Sequence, residues 1–148
     1  MTGKKTIVIC SSGSFYEHCN QIADELKQMG WNVVVPATAE MMKKAGDYDI
    51  SKIKTWHENS ADFHIKRQKA DKHFEEVVKG DAILIVNDDK PGKPKYIGPN
   101  TTMEWGLAYY LGKPVFILNG VGKGSNYYEE VHGMSTAVLD GDLSKIKL

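Results

Sequence analysis

Eleven residues, Tyr96-Ile97-Gly98-Pro99-Asn100-Thr101-Thr102-Met103-Glu104-Trp105-Gly106, put a carboxylate in what reads as the first turn of a helix, directly after a Gly-Pro turn. A carboxylate so placed can attack an electrophilic carbon or stabilise a developing cation. It can also serve the helix itself. Thr101-x-x-Glu104 has the spacing of a capping box, in which Glu104 would reach back to its own N-terminus. Gly98, Asn100 and Gly106 weigh towards a site, because they permit close backbone approach to a ligand and capping does not require them.

Other residues compete for attention. Ser11-Ser12-Gly13-Ser14 forms a polar turn after the first apolar run, and Asn87, Asp88 and Asp89 close the most apolar run of the chain. Each group offers polar partners to a ligand at a strand end, or simply ends a strand. Lys90, Lys93 and Lys95 make a small basic loop that could attract a phosphate. Among His57, Glu58, His64 and His73 no pair has the i, i+4 spacing of a zinc helix, so solvated histidines and no metal are expected. Cys10 ends a strand and reads as a small buried apolar group. Ile117 to Ser125 (ILNGVGKGS) imitates a P-loop, but its first glycine is missing and Gly124 stands where Ser or Thr is needed. No G-x-G-x-x-G follows the first strand, and no cofactor is expected.

The elements that must position these groups alternate. Short β-branched runs at Thr6–Cys10, Trp31–Val35, Ala82–Val86, Pro114–Leu118 and Thr136–Leu139 suit strands covered on both faces. Between them, helical spacing predicts helices over Phe15–Met29, 61–79, Asn100–Gly112 and a short one reaching about Gly133. In the stretch 37–60, Met41, Met42 and Ala45 could lie on one short helix broken at Gly46-Asp47. Ile50, Ile53 and Trp56 suggest another turn or two, and a mobile excursion or lid is expected. Strands alternating with helices imply an α/β fold: three layers, flavodoxin/Rossmann-like, with a five-stranded parallel sheet in the order 2-1-3-4-5. Ligands bind beyond the carboxyl ends of such strands, where the order reverses. That expectation gathers the loops Ser11–Ser14, Asn87–Asn100 and Asn119–Ser125 around one crevice.

Length and composition bound the rest. The chain has 148 residues, 41% of them hydrophobic and 26% charged, which suits one globular domain over 1–148. Nineteen basic residues balance nineteen acidic ones, which argues against nucleic acid or an anionic membrane as partner. No apolar run approaches the ~18 residues of a membrane span. The MTGKK-TIVIC start is too short in its apolar part for a signal peptide, and two cysteines make no disulfide framework, so a cytoplasmic protein is expected.

Over Gly98–Leu118 (GPNTTMEWGLAYYLGKPVFIL) the chain resembles the nucleoside 2-deoxyribosyltransferase superfamily, including relatives that hydrolyse the N-glycosidic bond of deoxynucleoside monophosphates. A Gly-rich turn leads there to a helix bearing Glu, then Gly-Lys-Pro and a strand. The order of elements agrees from Lys4 to about Leu143. The strand 82–87, the turn Tyr96–Gly98 and the tail Asp140-Gly141-Asp142-Leu143 look like a branch of their own within it.

The resemblance implies that Glu104 is the nucleophile and that Ser11, Ser12, Gly13 and Ser14 help hold sugar or phosphate. Asn87, Asp88, Gly98, Asn100 and Thr101 are the further expected substrate contacts. Superfamily members also carry an Asp on the helix before the central strand; here that position is taken by His73, with Asp71 two residues earlier. One helical residue is ~100° of rotation, so the two cannot face the same way.

The implied reaction is cleavage or transfer at the N-glycosidic bond of a nucleoside or nucleoside 5′-monophosphate. A carboxylate would meet the oxocarbenium-like sugar and a second group would protonate the departing base. A non-catalytic nucleotide-binding or sensing module on the same fold, motivated by the missing Asp, stays open, as does a flavin carrier. The Asn100–Gly112 helix shows apolar residues on more than one face, Trp105 and Tyr109 opposite Met103, Leu107, Tyr110 and Leu111. A homodimer or higher homo-oligomer packing through it is therefore expected, in keeping with the oligomeric habit of that superfamily.

Overall fold

The computed structural model describes residues 3–148. Five parallel strands, β1 (Thr6–Ser11), β2 (Asn32–Val34), β3 (Ala82–Val86), β4 (Val115–Ile117) and β5 (Ala137–Val138), form one sheet in the order β2-β1-β3-β4-β5. This is the expected α/β topology. β1 and β3 pair over five residues, from Ile7–Ala82 to Ser11–Val86, and both are buried on two faces. The outer strands are shorter than their apolar runs.

Alternation along the strands decides which helix covers which face. Ile7, Ile9, Leu84, Val86 and Phe116 point to the layer of α1 (Tyr16–Gln28), where Cys19, Ile22, Ala23 and Leu26 pack against them. α2 (Ala37–Ala45) leans on α1 in the same layer, with Ala39 in its core. Val8, Cys10, Ile83, Ile85 and Ile117 point the other way. They meet Val77 of α3 (Phe63–Lys79), Trp105 and Ala108 of α4 (Pro99–Tyr110), and Val131 of α5 (Tyr128–Gly133). The parity that buries Val8 thus also sends Cys10 towards α3 and α4.

Two expectations about α4 are corrected. The helix begins at Pro99, which has no N–H to satisfy, with Gly98 as its N-cap and no side chain capping it. Thr101 and Glu104 therefore lie a turn too deep for a capping box. Nor are both sides of α4 left uncovered. Trp105 is buried and donates from Nε1 to the Met134 carbonyl at 3.0 Å, while Met103, Tyr109, Tyr110 and Leu111 stay exposed.

The stretch 37–60 carries the short helix and the turns that its spacing suggests. α2 gives way at Gly46, in a left-handed conformation (φ 66°), to 3₁₀ turns at Ile50–Lys52 and Thr55–His57, and a third at Ser60–Asp62 leads into α3. No helix among the described residues is long and apolar enough to cross a membrane.

Asn87 ends β3 as a clamp. Its Nδ2 donates to the Asn119 carbonyl at 2.7 Å, its Oδ1 accepts from the Asn119 N–H at 2.9 Å, and Asn119 Nδ2 donates to its carbonyl at 3.2 Å. Wholly buried, it ties the ends of β3 and β4 together. Replacing it by Ala removes the partners of the part-buried Asn119 N–H and carbonyl, which should cost about 1–2 kcal/mol. Urea unfolding of Asn87→Ala should show this as a lower midpoint at unchanged slope.

Candidate active site

β1, α3 and α4 converge on a cavity of about 580 Å³ beyond the end of β1. The turn Ser11–Gly13 and Tyr16 form one side, and Gly98–Thr101 with Glu104 another. The α3 face and the stretch from Ile50 to His57 complete it. The position agrees with the strand-order reversal between β1 and β3, but the crevice differs from the one expected. The Asn119–Ser125 loop takes no part, and the 50–57 stretch stands in its place. Trp56 is buried there. A Cβ added to Gly13 would come within 2.5 Å of Ile50 Cδ1, so the missing side chain of Gly13 lets the 3₁₀ segment close over the turn.

At the floor, Glu104 is 1% exposed and His73 7% exposed. His73 Nε2 stands 3.1 Å from Glu104 Oε2, and His73 Nδ1 stands 3.1 Å from Glu76 Oε2. One imidazole therefore lies between two carboxylates. Asn100, one turn before Glu104 on α4, donates from Nδ2 to Glu104 Oε1 at 3.1 Å. Asn100 Oδ1 is buried without a hydrogen-bond partner among the described residues, while Glu104 Oε2 and His73 Nε2 have only each other, at 3.1 Å. Buried polar atoms are otherwise almost always paired, so Asn100 Oδ1 marks where a ligand's donor would be met.

The electrostatics follow from burial. Removal from water pushes the Glu104 carboxyl up to about 7, against the opposing pull of His73, Lys66 and the Asn100 hydrogen bond. Burial by itself would lower His73, but the bond to Glu76 and the charges of Glu104 and Glu76 carry it above its ordinary value. Burial first, then the neighbouring Glu104 charge, raises the Cys10 thiol well above normal, and the same two causes raise the Tyr16 hydroxyl. Neither is a nucleophile at neutral pH. Cys10 Sγ, His73 and Glu104 lie within 4.8 Å of one another. These donors would suit a thiophilic divalent cation only if its charge deprotonated that raised thiol.

The structure separates the two α3 candidates. His73 faces the cavity; Asp71 is exposed on the far side and pairs with Arg67 at 3.9 Å. Ser11, Ser12, Gly13, Gly98, Asn100 and Thr101 line the cavity, and Ser14 does not. The Ser11 hydroxyl is engaged internally, donating to the Ser12 carbonyl at 2.9 Å and lying 3.1 Å from Cys19 Sγ. Asn87 is spent in its clamp, and Asp88 pairs with His18 Nδ1 at 2.7 Å outside this cavity. The expectation of a fully solvated histidine set fails at His73, which is buried. Glu76, Lys66, Lys69 and Tyr16 were missed. The first three share the α3 face of His73 by i, i+3 and i+4 spacing, a signal readable once His73 is fixed as inward.

A solved structure described as Clostridium botulinum CMP N-glycosidase, BcmB, is similar over 90% of this chain and 84% of its own, with a TM-score of 0.50 and 13% identity. At that identity the likeness is one of fold. No protein-family model and no curated protein sequence matches the chain.

Glu104 has a consequence for stability. Its folded pKa is raised, so the folded state holds a proton that the unfolded chain releases near the ordinary carboxyl value of 4.5. Stability conferred by that proton is present at low pH and declines as pH rises from about 4.5 through about 7. His73, also raised, adds a decline in the same direction above 6.5. Glu104→Gln should flatten the fall in melting temperature between pH 5 and 8, gaining on the wild type at the alkaline end. Parallel curves for the two proteins would contradict the raised carboxyl.

Proposed function

We propose that the chain cleaves the N-glycosidic bond of a nucleoside or nucleoside 5′-monophosphate, with Glu104 as nucleophile and His73 as its proton partner. The observation that carries this reading is the buried Glu104–His73 pair, 3.1 Å apart at the floor of a cavity. The resemblance around Gly98–Leu118 to the deoxyribosyltransferase superfamily supports it, as does the shared fold with a CMP N-glycosidase.

The working state is His73 protonated and Glu104 ionised. Glu104 Oε2 attacks the anomeric carbon as the carbon–nitrogen bond to the base breaks, giving a glycosyl ester. His73 gives its Nε2 proton to the departing base. The neutral imidazole then takes a proton from water, whose oxygen displaces Glu104 from the sugar and restores both groups. A second base in place of water makes the reaction a transfer. Glu76, on Nδ1, keeps the ring oriented and stabilises its cationic form. His73 on α3 thus fills the role that the resemblance gives to an Asp.

Base release measured by chromatography over a panel of ribo- and deoxyribonucleosides and their 5′-monophosphates tests this. Glu104→Gln keeps an acceptor for Asn100 yet cannot form the ester, and should lower the rate by several orders of magnitude. His73→Asn should cost about 10²–10⁴-fold. The rate should rise with pH towards neutrality as Glu104 ionises and fall at higher pH as His73 loses its proton, the two limbs belonging to the pair. Turnover largely retained by Glu104→Gln would refute the nucleophile. Nucleotide binding without any base release would leave a sensing module instead.

We also propose that the exposed face of α4 joins two copies of the chain. Met103 (54% exposed) borders the cavity, and Tyr110 (86% exposed) and Leu111 (44%) stand on the same helix, an apolar surface beside the site. Light scattering at micromolar concentration should give a dimer or larger species, and Tyr110→Glu should shift it towards monomer. A monomeric wild type would refute this.

A further inference from the structure

The charge lining the cavity is lopsided. Lys54 from the 3₁₀ stretch, Lys66, Lys69 and Lys72 from α3, and Lys90 from the loop after β3 all border it. Its only carboxylates, Glu76 and Glu104, both face His73. Among the described residues none of the five lysines pairs with a carboxylate. Lys69 Nζ donates to the Thr38 hydroxyl at 2.9 Å and Lys90 Nζ lies 4.2 Å over the Tyr96 ring, neither of which neutralises a charge.

We infer that this lysine wall holds a pyrophosphate group, so that among nucleosides and their 5′-phosphates the Glu104 site prefers those with two or more phosphates. The inference rests on the proposed activity for the nucleoside part, and on the lysines alone for the phosphates.

Charge matching favours the second phosphate. A phosphate monoester carries about two negative charges near neutral pH. One such group leaves the greater part of five ammonium charges unmatched, and a pyrophosphate spans further and carries more. The protein meanwhile bears the repulsion: burial and then Lys66 lower the pKa of Lys54, and burial, Lys54 and Lys93 lower that of Lys90. Burial and then Lys72 lower that of Lys69. Lys66 is also near enough to Glu104 for its charge to favour the carboxylate.

Calorimetric titration separates this from the activity. Ribo- and deoxyribonucleosides, their 5′-mono- and diphosphates, and inorganic pyrophosphate are titrated into wild-type protein, and into Glu104→Gln to suppress turnover. A 5′-diphosphate should bind at least tenfold tighter than its monophosphate at low ionic strength, the ratio shrinking as salt rises. In Lys54→Met/Lys90→Met, which keeps the apolar stems, that ratio should collapse. The free variant should melt no lower than wild type, because repulsion is removed; a purely structural pair of lysines would make it melt lower. Equal affinity for mono- and diphosphate, no binding of any diphosphate, or a ratio that survives in the double variant would each overturn the inference. Tight diphosphate binding without base release would refute the proposed activity and leave the lysine wall standing. Base release from neutral nucleosides with no phosphate preference would do the reverse.

Discussion

A carboxylate that is 1% exposed, 3.1 Å from an imidazole, is the constraint on which the rest of the site depends. Burying an isolated charge costs far more than a domain's net stability can carry. Glu104 is tolerable there only because a proton can be shared with His73, because Asn100 donates to its other oxygen, and because Glu76 supports the ring from behind. Each of these partners sits on a regular helix. Asn100 and Glu104 share a face of α4, and His73 and Glu76 share a face of α3. Both faces are brought to the end of β1 by apolar neighbours, Val77 on α3 and Trp105 with Ala108 on α4, pressed against the same side of the sheet. The packing that stabilises the domain is therefore also what holds the proton-sharing pair.

The topology was legible because continuous apolar strands and periodic helices are strong, local signals. Alternation and handedness gave a parallel sheet, and the order followed from the common flavodoxin-like arrangement of five strands. Glu104 was legible as a residue, though for a mixed reason, since its capping spacing was a coincidence: Pro99 starts the helix, and Thr101 and Glu104 are already in its interior. The α3 register was half legible. Rotation excluded Asp71 and His73 from sharing a face, but choosing between them requires knowing which way the helix turns against the sheet. That choice is made by Val77, which is buried one turn after His73.

What the sequence hid was mostly non-local. Asn87 looked like a polar strand end and is a clamp, because its partner Asn119 lies thirty-two residues away. The stretch 37–60 carries no clean period, since it is a short helix followed by single 3₁₀ turns whose apolar residues Ile50, Ile53 and Trp56 face a cavity rather than the main core. Gly13 belongs to the same class. Its need for a small side chain comes from Ile50, and nothing in the Ser-Ser-Gly-Ser turn announces that contact.

The balance of charge joins these parts. The chain as a whole is neutral, with nineteen charges of each sign, so a wall of five lysines is a local concentration set against carboxylates elsewhere. An Asp in place of His73 would stand its negative charge beside Glu104 and force one of the two to hold a proton. A histidine there lets the pair exist as imidazolium and carboxylate, the form that the proposed nucleophile and acid require. Lysines close to the pair favour the ionised Glu104 for the same Coulombic reason, as Lys66 already does. An incoming polyanion would screen those lysines and return some of the carboxyl's raised pKa. On the proposed reading, substrate charge and the protonation of the Glu104–His73 pair are thereby coupled through Lys66, which lines the cavity and whose charge acts on Glu104.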